Sequence, residues 1–215
     1  MKATKERKPT ILLVEDDPNL SLVLQDYLEM LDYEIVLRNN GRAGLEAFQQ
    51  QKFDLCLLDI MMPEMDGYEV CRRLRARPET ADVPIMFLSS LEEVQNKTRG
   101  FEAGANDYLT KPFEMLEVKA RVRSLLKAKA YSDAVKEQMA SELRIARDIQ
   151  MGMLPHDFTA VEKAYGVELG AVLEPAREVG GDLYGVCGAG PGRFVLFLGD
   201  VSGKGIPASM FMVRA

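Results

Sequence analysis

The sequence predicts an α/β protein in which a doubly wound, five-stranded parallel sheet is followed by a long helix and an incomplete α+β segment. Three observations carry this prediction. Short β-forming runs alternate with amphipathic helical patterns up to residue 126, which is the arrangement of parallel α/β folds. No glycine or proline occurs between Phe113 and Met151, which favours one continuous helix. From residue 154 onward the composition changes, since eleven of the seventeen glycines lie there.

Five apolar or β-rich runs mark the predicted strands, at residues 10–14, 34–37, 55–58, 85–88 and 107–109. The third run has no polar alternation, as expected of a central strand that helices cover on both faces. After the first run, Pro18 and Asn19 mark the start of a helix whose apolar residues recur at steps of three and four. The five strand–helix units together predict one domain over residues 1–126.

The long helix, predicted to reach about residue 153, contains a linker at residues 127–153 with the spacing of a coiled coil. Apolar residues recur at or near heptad positions, namely Val135, Met139, Ala146, Ile149 and Met153. Glu142 interrupts the pattern where an apolar residue would stabilise it. We expect a short seam that joins two copies of the chain in a homodimer. The alternative is a helix packed against its own domains.

Composition and charge exclude several classes of protein. Lys and Arg total 27 against 33 Asp and Glu, for a net charge of −6, so we expect no nucleic-acid partner. No apolar run approaches the roughly 20 residues of a membrane span, and the basic N-terminus lacks the apolar core of a secretion signal. Three separated cysteines and one histidine do not match a zinc site. We therefore expect a cytoplasmic protein without a membrane partner.

Carboxylates, a serine and a lysine follow four of the five predicted strands. They are Glu15, Asp16 and Asp17 after the first strand, Asp59 after the third, Ser89 after the fourth and Lys111 after the fifth. Ligand sites of open α/β sheets lie beyond the carboxyl ends of the strands, so these side chains should meet. Clustered carboxylates repel one another unless a cation offsets their charge, and Mg²⁺ prefers such oxygen ligands.

These residues and their neighbours resemble the receiver domain of two-component response regulators, a CheY-like domain of the flavodoxin type. The matching segments are residues 14–16, 58–67, 89, 104–108 and 111–113. The resemblance implies that Asp59 accepts a phosphoryl group from a sensor histidine kinase or a phosphotransfer protein. It also implies that the Lys111–Pro112 peptide bond is cis.

The same resemblance implies a role for each residue of the site. Glu15, Asp16, Asp59 and the backbone carbonyl of Met61 would hold Mg²⁺, Ser89 and Lys111 would contact the phosphoryl group, and Tyr108 would be the switch residue. Taken singly, an Asp at a strand end commonly caps a helix, and a half-buried aromatic is often part of a core. Asp17 is expected to cap the first helix or to support the site rather than to bind the metal.

Two glycine-rich segments of the last part of the chain also carry carboxylates. Residues 175–184 and 198–205 place Asp182 and Asp200 on or beside strands, next to glycines that let the backbone approach an ion. Two carboxylates from adjacent strands could bridge a pair of divalent metals. The alternative without a metal site is two turns with capping aspartates.

With residues 142–150 and 153–155, these segments resemble the start of bacterial metal-dependent serine/threonine phosphatases of the PPM type (PP2C-like), close to the sporulation and stress-response regulators. The resemblance implies that Asp182, Asp200 and the carbonyl of Val201 bind Mn²⁺ or Mg²⁺, and that the substrate is a phosphorylated anti-sigma-factor antagonist. The later acidic residues of that family have no counterpart before Ala215. We therefore expect residues 154–215 to be the N-terminal part of such a domain, without a complete active site.

The hypothesis from sequence is a response regulator in which phosphorylation of Asp59 regulates a C-terminal phosphoprotein phosphatase through the long helix. The alternative, from a different class, is a non-catalytic adaptor whose receiver and helix bind a protein partner when Asp59 is phosphorylated.

Overall fold

The computed structural model describes residues 7–90, 100–175 and 179–201. Its internal contacts divide the chain into two units, with the boundary between Asp133 and Ala134 inside the long helix. Residues 207–214, whose sequence predicts the start of a further helix, lie outside the described residues.

The first unit contains five strands and four helices with described bounds. They are β1 (Thr10–Val14), α1 (Pro18–Met30), β2 (Glu34–Arg38), α2 (Gly41–Gln50), β3 (Leu55–Asp59), α3 (Gly67–Arg75), β4 (Ile85–Ser89), β5 (Asp107–Thr110) and the start of α4 (Met115–Met153). The strands form one parallel sheet in the order β2-β1-β3-β4-β5. The predicted sheet and the continuous helix to Met153 are therefore confirmed.

The core of this unit lies on both faces of the sheet. Alternate residues of a strand point to opposite faces, so Ile11 and Leu13 join one buried cluster while Leu12 and Val14 join the other. Val118 and Val122 of α4 pack with the Ile11 cluster. β1, β3 and β4 are buried along their whole length. Packing on both faces therefore fixes the position of their carboxyl ends, where the polar residues lie.

Arg75, the last residue of α3, ties that helix to the loops beside β4 and β5. Its guanidinium donates to the backbone carbonyls of Ala81, Val83 and Gly104 at 2.8 to 3.0 Å, and to the side-chain oxygen of Asn106 at 2.8 Å. Gly104 has φ +99°, a conformation that favours glycine, and its open side is filled by the Arg75 side chain.

The second unit contains the C-terminal part of α4, a short helix α5 (Thr159–Tyr165), and an antiparallel pair, β6 (Asp182–Gly188) and β7 (Phe194–Asp200). The ring of Tyr165 lies 5.3 Å from that of Phe194, which packs α5 against the hairpin. The predicted β-forming character of this part of the chain is confirmed. Among the described helices, none combines the length and the apolar character needed to cross a membrane.

Candidate phosphoacceptor site

The polar residues predicted to meet do meet, at the carboxyl edge of the sheet. Glu15 follows β1 directly and Lys111 follows β5, whereas Asp59 and Ser89 are the last residues of β3 and β4. The apolar runs predict that Asp59 and Ser89 come just after their strands. This was wrong by one residue, because Asp59 still pairs with Leu88, and Ser89 with Thr110.

Lys111 is the residue that joins the site. Its Nζ donates to Asp59 Oδ2 at 2.8 Å and to the two carboxylate oxygens of Glu15 at 3.0 and 2.8 Å. Its backbone N–H donates to the carbonyl of Ser89 at 2.6 Å. The Lys111–Pro112 bond is cis, as the resemblance implied. One lysine therefore contacts residues at the carboxyl ends of three different strands.

Burial sets the protonation of this cluster. Glu15 is 1% exposed, and desolvation raises the pKa of its carboxyl to about 7, against a smaller lowering effect of the Lys111 hydrogen bond. Burial alone would lower the pKa of the Lys111 ammonium, but its hydrogen bonds with Asp59 and Glu15 outweigh that effect and raise it. The lysine therefore stays charged next to a carboxyl that is held partly neutral.

Three carboxylates offer a metal site at the same edge. One carboxylate oxygen each from Glu15, Asp16 and Asp59 lies within 4.8 Å of the other two, with Glu15 and Asp59 buried and Asp16 exposed. An all-oxygen set with one side open to water is the kind that Mg²⁺ takes, so the residues present fit the predicted ion. Asp17 instead caps α1, since its Oδ1 accepts from the backbone N–H of Asn19 at 2.8 Å and of Leu20 at 3.3 Å.

The loop between β3 and α3 holds Asp59 in place. The backbone N–H of Met61 donates to Asp59 Oδ1 at 3.2 Å, and the backbone N–H of Gly67 donates to the carbonyl of Ile60 at 3.0 Å. A Cβ on Gly67 would lie 2.3 Å from the Asp59 carbonyl oxygen. In the sequence, Gly67 is recognisable only as part of the matching segment 58–67, and its close packing against Asp59 is not predicted.

Tyr108, the predicted switch residue, is buried on β5 in the same apolar cluster as Phe87. Its backbone N–H donates to Asp107 Oδ1 at 2.7 Å, and Arg121 of α4 donates to both carboxylate oxygens of Asp107 at 2.7 and 3.0 Å. The Asp107–Arg121 pair was missed from sequence. The signal for it was weak, since the two residues are separated by fourteen positions.

The second predicted site lies in the second unit. The register of β6 and β7 places Asp182 opposite Asp200, and both are exposed. Together with Glu174 they line a cavity of about 430 Å³. The backbone N–H of Val201 donates to the carbonyl of Gly181 at 3.1 Å. Residues 176–178 and 202–205 of the two predicted motifs lie outside the described residues.

Glu15 should make the metal-free protein less stable as the pH rises. Since burial raises its pKa from 4.5 to about 7, the unfolded chain loses this proton first. The bound proton of Glu15 therefore stabilises the folded state fully below pH 4.5, and this stabilisation is lost by about pH 7. Glu15→Gln has no such proton and should lack this fall in the free energy of unfolding, which amounts to about 3 kcal/mol. Urea unfolding in the presence of a chelator, at about pH 5 and about pH 8, measures the difference.

The matched control for this titration is Glu46→Gln, because Glu46 is exposed on α2. It should follow the wild-type pH dependence. Parallel pH profiles for wild type and Glu15→Gln would contradict the assignment of the effect to Glu15.

Comparison with known proteins identifies the family. Residues 11–123 match the family model described as the response regulator receiver domain, which is more than half of the chain, and the protein belongs to this family. Among solved structures, the chain is similar to the receiver domain of a sensor histidine kinase from Pseudomonas aeruginosa, with 31% identity and a TM-score of 0.53. That match covers 56% of this chain and 99% of the other, which is described with a magnesium ion coordinated in its active-site cleft.

Two curated relatives are transcriptional regulators by name. One is the DNA-binding dual master transcriptional regulator RpaA of Synechocystis, 39% identical over 71% of this chain and 62% of the relative. The other is the transcriptional regulatory protein RprY of Bacteroides fragilis, 41% identical over 57% of this chain and 51% of the relative. The chain thus spans about half to three-fifths of their length.

These comparisons confirm the receiver fold and the two-component class predicted from sequence. The names of the relatives conflict with two further predictions, the phosphatase output and the absence of a nucleic-acid partner. The family match ends at residue 123 and does not extend to the segment predicted to be a phosphatase.

Proposed function

We propose that Asp59 is the phosphoacceptor of this response regulator and that a sensor histidine kinase or a phosphotransfer protein supplies the phosphoryl group. The observation that carries the proposal is the 2.8 Å contact between the Lys111 ammonium and the buried Asp59 carboxylate, beside Glu15. A carboxylate nucleophile next to a fixed cation is what transfer of a charged phosphoryl group requires.

In the proposed transfer, an Asp59 oxygen forms a bond to phosphorus while the phosphorus–nitrogen bond of the donor phosphohistidine breaks, and the histidine leaves with that electron pair. Lys111 lies close enough to Asp59 to neutralise a phosphoryl oxygen. Ser89, buried at the end of β4, would donate its hydroxyl to the same group. Mg²⁺ held by Glu15, Asp16, Asp59 and the Met61 carbonyl supplies additional positive charge when bound.

For the output we propose a metal-dependent phosphoprotein phosphatase that begins near residue 154, acts on a phosphorylated protein such as an anti-sigma-factor antagonist, and is controlled through α4. Support comes from the register that places Asp182 opposite Asp200 and from the cavity that they line with Glu174. Oxygen ligands from adjacent strands suit Mn²⁺ or Mg²⁺. The resemblance to the PPM-type phosphatases implies that the carbonyl of Val201, the residue after Asp200, would be a third ligand.

A DNA-binding output is the competing candidate, because the names of the curated relatives favour it. The charge of the C-terminal segment argues against it: residues 154–215 carry seven acidic and five basic side chains. Proteins that bind DNA neutralise several phosphates with clustered Lys and Arg, and such an excess is missing from this segment.

The predicted homodimer remains part of the proposal. Val135, Met139, Ile149 and Met153 of α4 are 38% to 59% exposed, and they recur near heptad spacing, so a second copy of the helix could cover them. The same exposed face would serve the alternative adaptor, which would bind a protein partner through the receiver and α4 without catalysis.

Phosphate release from a phosphoserine protein tests the output. With Mn²⁺ present, the product of the complete gene should release phosphate, and Asp200→Asn should lower kcat at least about hundredfold because a metal ligand is lost. Asp157→Asn is the matched control, since Asp157 lies just before α5, where its Oδ1 accepts from the backbone N–H of Thr159, and is not one of the proposed metal ligands. Absence of hydrolysis combined with salt-dependent binding to a random-sequence DNA duplex would overturn the phosphatase in favour of the DNA-binding output.

A further inference from the structure

Gln150, in the last turn of α4, makes two hydrogen bonds to a single residue near the second site. Its Nε2 donates to the carbonyl of Gly180 at 2.5 Å, and its Oε1 accepts from the backbone N–H of Gly180 at 3.1 Å. The side-chain amide thus pairs with Gly180 in the way that a neighbouring strand would. We infer that Gln150 is a positioning residue that fixes the Asp182–Asp200 pair to the end of α4, an inference that rests on the proposed phosphatase output.

The burial of Gln150 indicates that both hydrogen bonds matter. The residue is 3% exposed, and Leu154, one turn later, and Val179, next to Gly180, are also buried. Burying a primary amide costs free energy unless its donor and acceptor are both satisfied. An apolar side chain would fill the same space without this requirement. The amide therefore adds a directional constraint on Gly180 that packing alone does not supply.

The constraint reaches the carboxylates over a short path. β6 begins at Asp182, two residues after Gly180, which corresponds to roughly 7 Å of extended chain. Between them, the carbonyl of Gly181 accepts from the backbone N–H of Val201, next to Asp200. Gln150 thus forms hydrogen bonds with Gly180, and Val201 forms one with the next residue, Gly181. A rotation or shift of the last turn of α4 would therefore move the end of the hairpin that carries both carboxylates.

Hydrogen exchange measured by mass spectrometry tests this inference without relying on phosphatase activity. In Gln150→Met, which keeps the size of the side chain and removes both hydrogen bonds, amides of residues 180–188 should exchange roughly tenfold faster. Gln150→Glu keeps an acceptor but replaces the donor with a buried carboxylate oxygen that repels the Gly180 carbonyl, so exchange in the same residues should be at least as fast as in Gln150→Met. Gln138→Met is the matched control, because Gln138 is exposed on the same helix and its side chain donates to Glu142 one turn later; it should exchange like wild type.

A second measurement separates positioning from general stabilisation. Acetyl phosphate and Mg²⁺ should change exchange at residues 180–188 in wild type and in Gln138→Met, but not in Gln150→Met, while all three accept the phosphoryl group equally. Wild-type exchange in Gln150→Met would overturn the inference. Faster exchange spread over α5 in both Gln150 variants would overturn it as well, because that result indicates a purely structural residue.

The same variants distinguish this inference from the proposed function. If the gene product hydrolyses phosphoserine, Gln150→Met should raise the Mn²⁺ concentration needed for half-maximal rate and leave KM for the phosphoprotein unchanged. If wild type shows no hydrolysis, the phosphatase proposal fails, and the exchange data still decide whether Gln150 fixes the Asp182–Asp200 pair.

Discussion

Replacing Asp59 with asparagine is expected to abolish phosphorylation by acetyl phosphate and Mg²⁺, with a loss of at least about thousandfold in rate. The side chain keeps its size, but an amide is a poor nucleophile and a weaker metal ligand. Lys111 keeps its contact with Glu15, so the sheet edge should stay folded. Intact-protein mass spectrometry measures the result, as one added phosphoryl group on wild type and none on the variant.

The control for this experiment is Asp66→Asn in the loop that follows. Asp66 caps α3 by accepting from the backbone N–H of Glu69 at 2.8 Å, and asparagine caps helices about as well as aspartate. This variant should therefore accept the phosphoryl group like wild type. Persistence of the adduct in Asp59→Asn would mean that another residue is the acceptor, and the proposed site would be wrong.

Replacing Gly67 with alanine should both destabilise the receiver and slow phosphorylation. A Cβ at this position would lie 2.3 Å from the Asp59 carbonyl oxygen and 2.9 Å from the Cα of Ile60. Both are backbone atoms of buried residues, so they cannot move aside as a flexible side chain could. We expect a loss of at least about 3 kcal/mol in the free energy of unfolding, together with displacement of Asp59. Urea unfolding measures the stability, and the rate of acetyl phosphate labelling measures the displacement.

Gly152→Ala is the same chemical change, but we expect it to stabilise the protein. Gly152 lies inside α4, and beyond the backbone of its own helix a Cβ there would meet no atom of the described residues within 4 Å. Alanine is the better helix former, so this variant should gain about 0.5 to 1 kcal/mol in helix stability. If Gly67→Ala were as stable as wild type and labelled at the same rate, the close packing of α3 against β3 would not be what positions Asp59.

Much of the receiver could be predicted because its signals are local. β3 is a run of apolar residues that ends at Asp59, and the order of strands and helices leaves few ways to build a parallel sheet. Since parallel strands end at a common edge, the residues after them had to meet, and Glu15, Asp59 and Lys111 do so. The ends of the strands were less predictable. Asp59 and Ser89 have polar side chains, but their backbones still pair with the neighbouring strands of the sheet.

The one-dimensional pattern of the chain thus predicts Asp59 as the phosphoacceptor, together with its acidic neighbours and the helix that leaves the domain. Contacts between distant residues depend on the folded chain: Lys111 reaches across 96 positions to Glu15, and burial raises the pKa of the Glu15 carboxyl to about 7. The pairing of Asp182 with Asp200 depends on strand register, and the Gln150–Gly180 contact joins residues 30 positions apart. Periodicity and motifs report which residues share a face, whereas packing decides which polar atoms are taken out of water together, and that sets their hydrogen bonds and their charge.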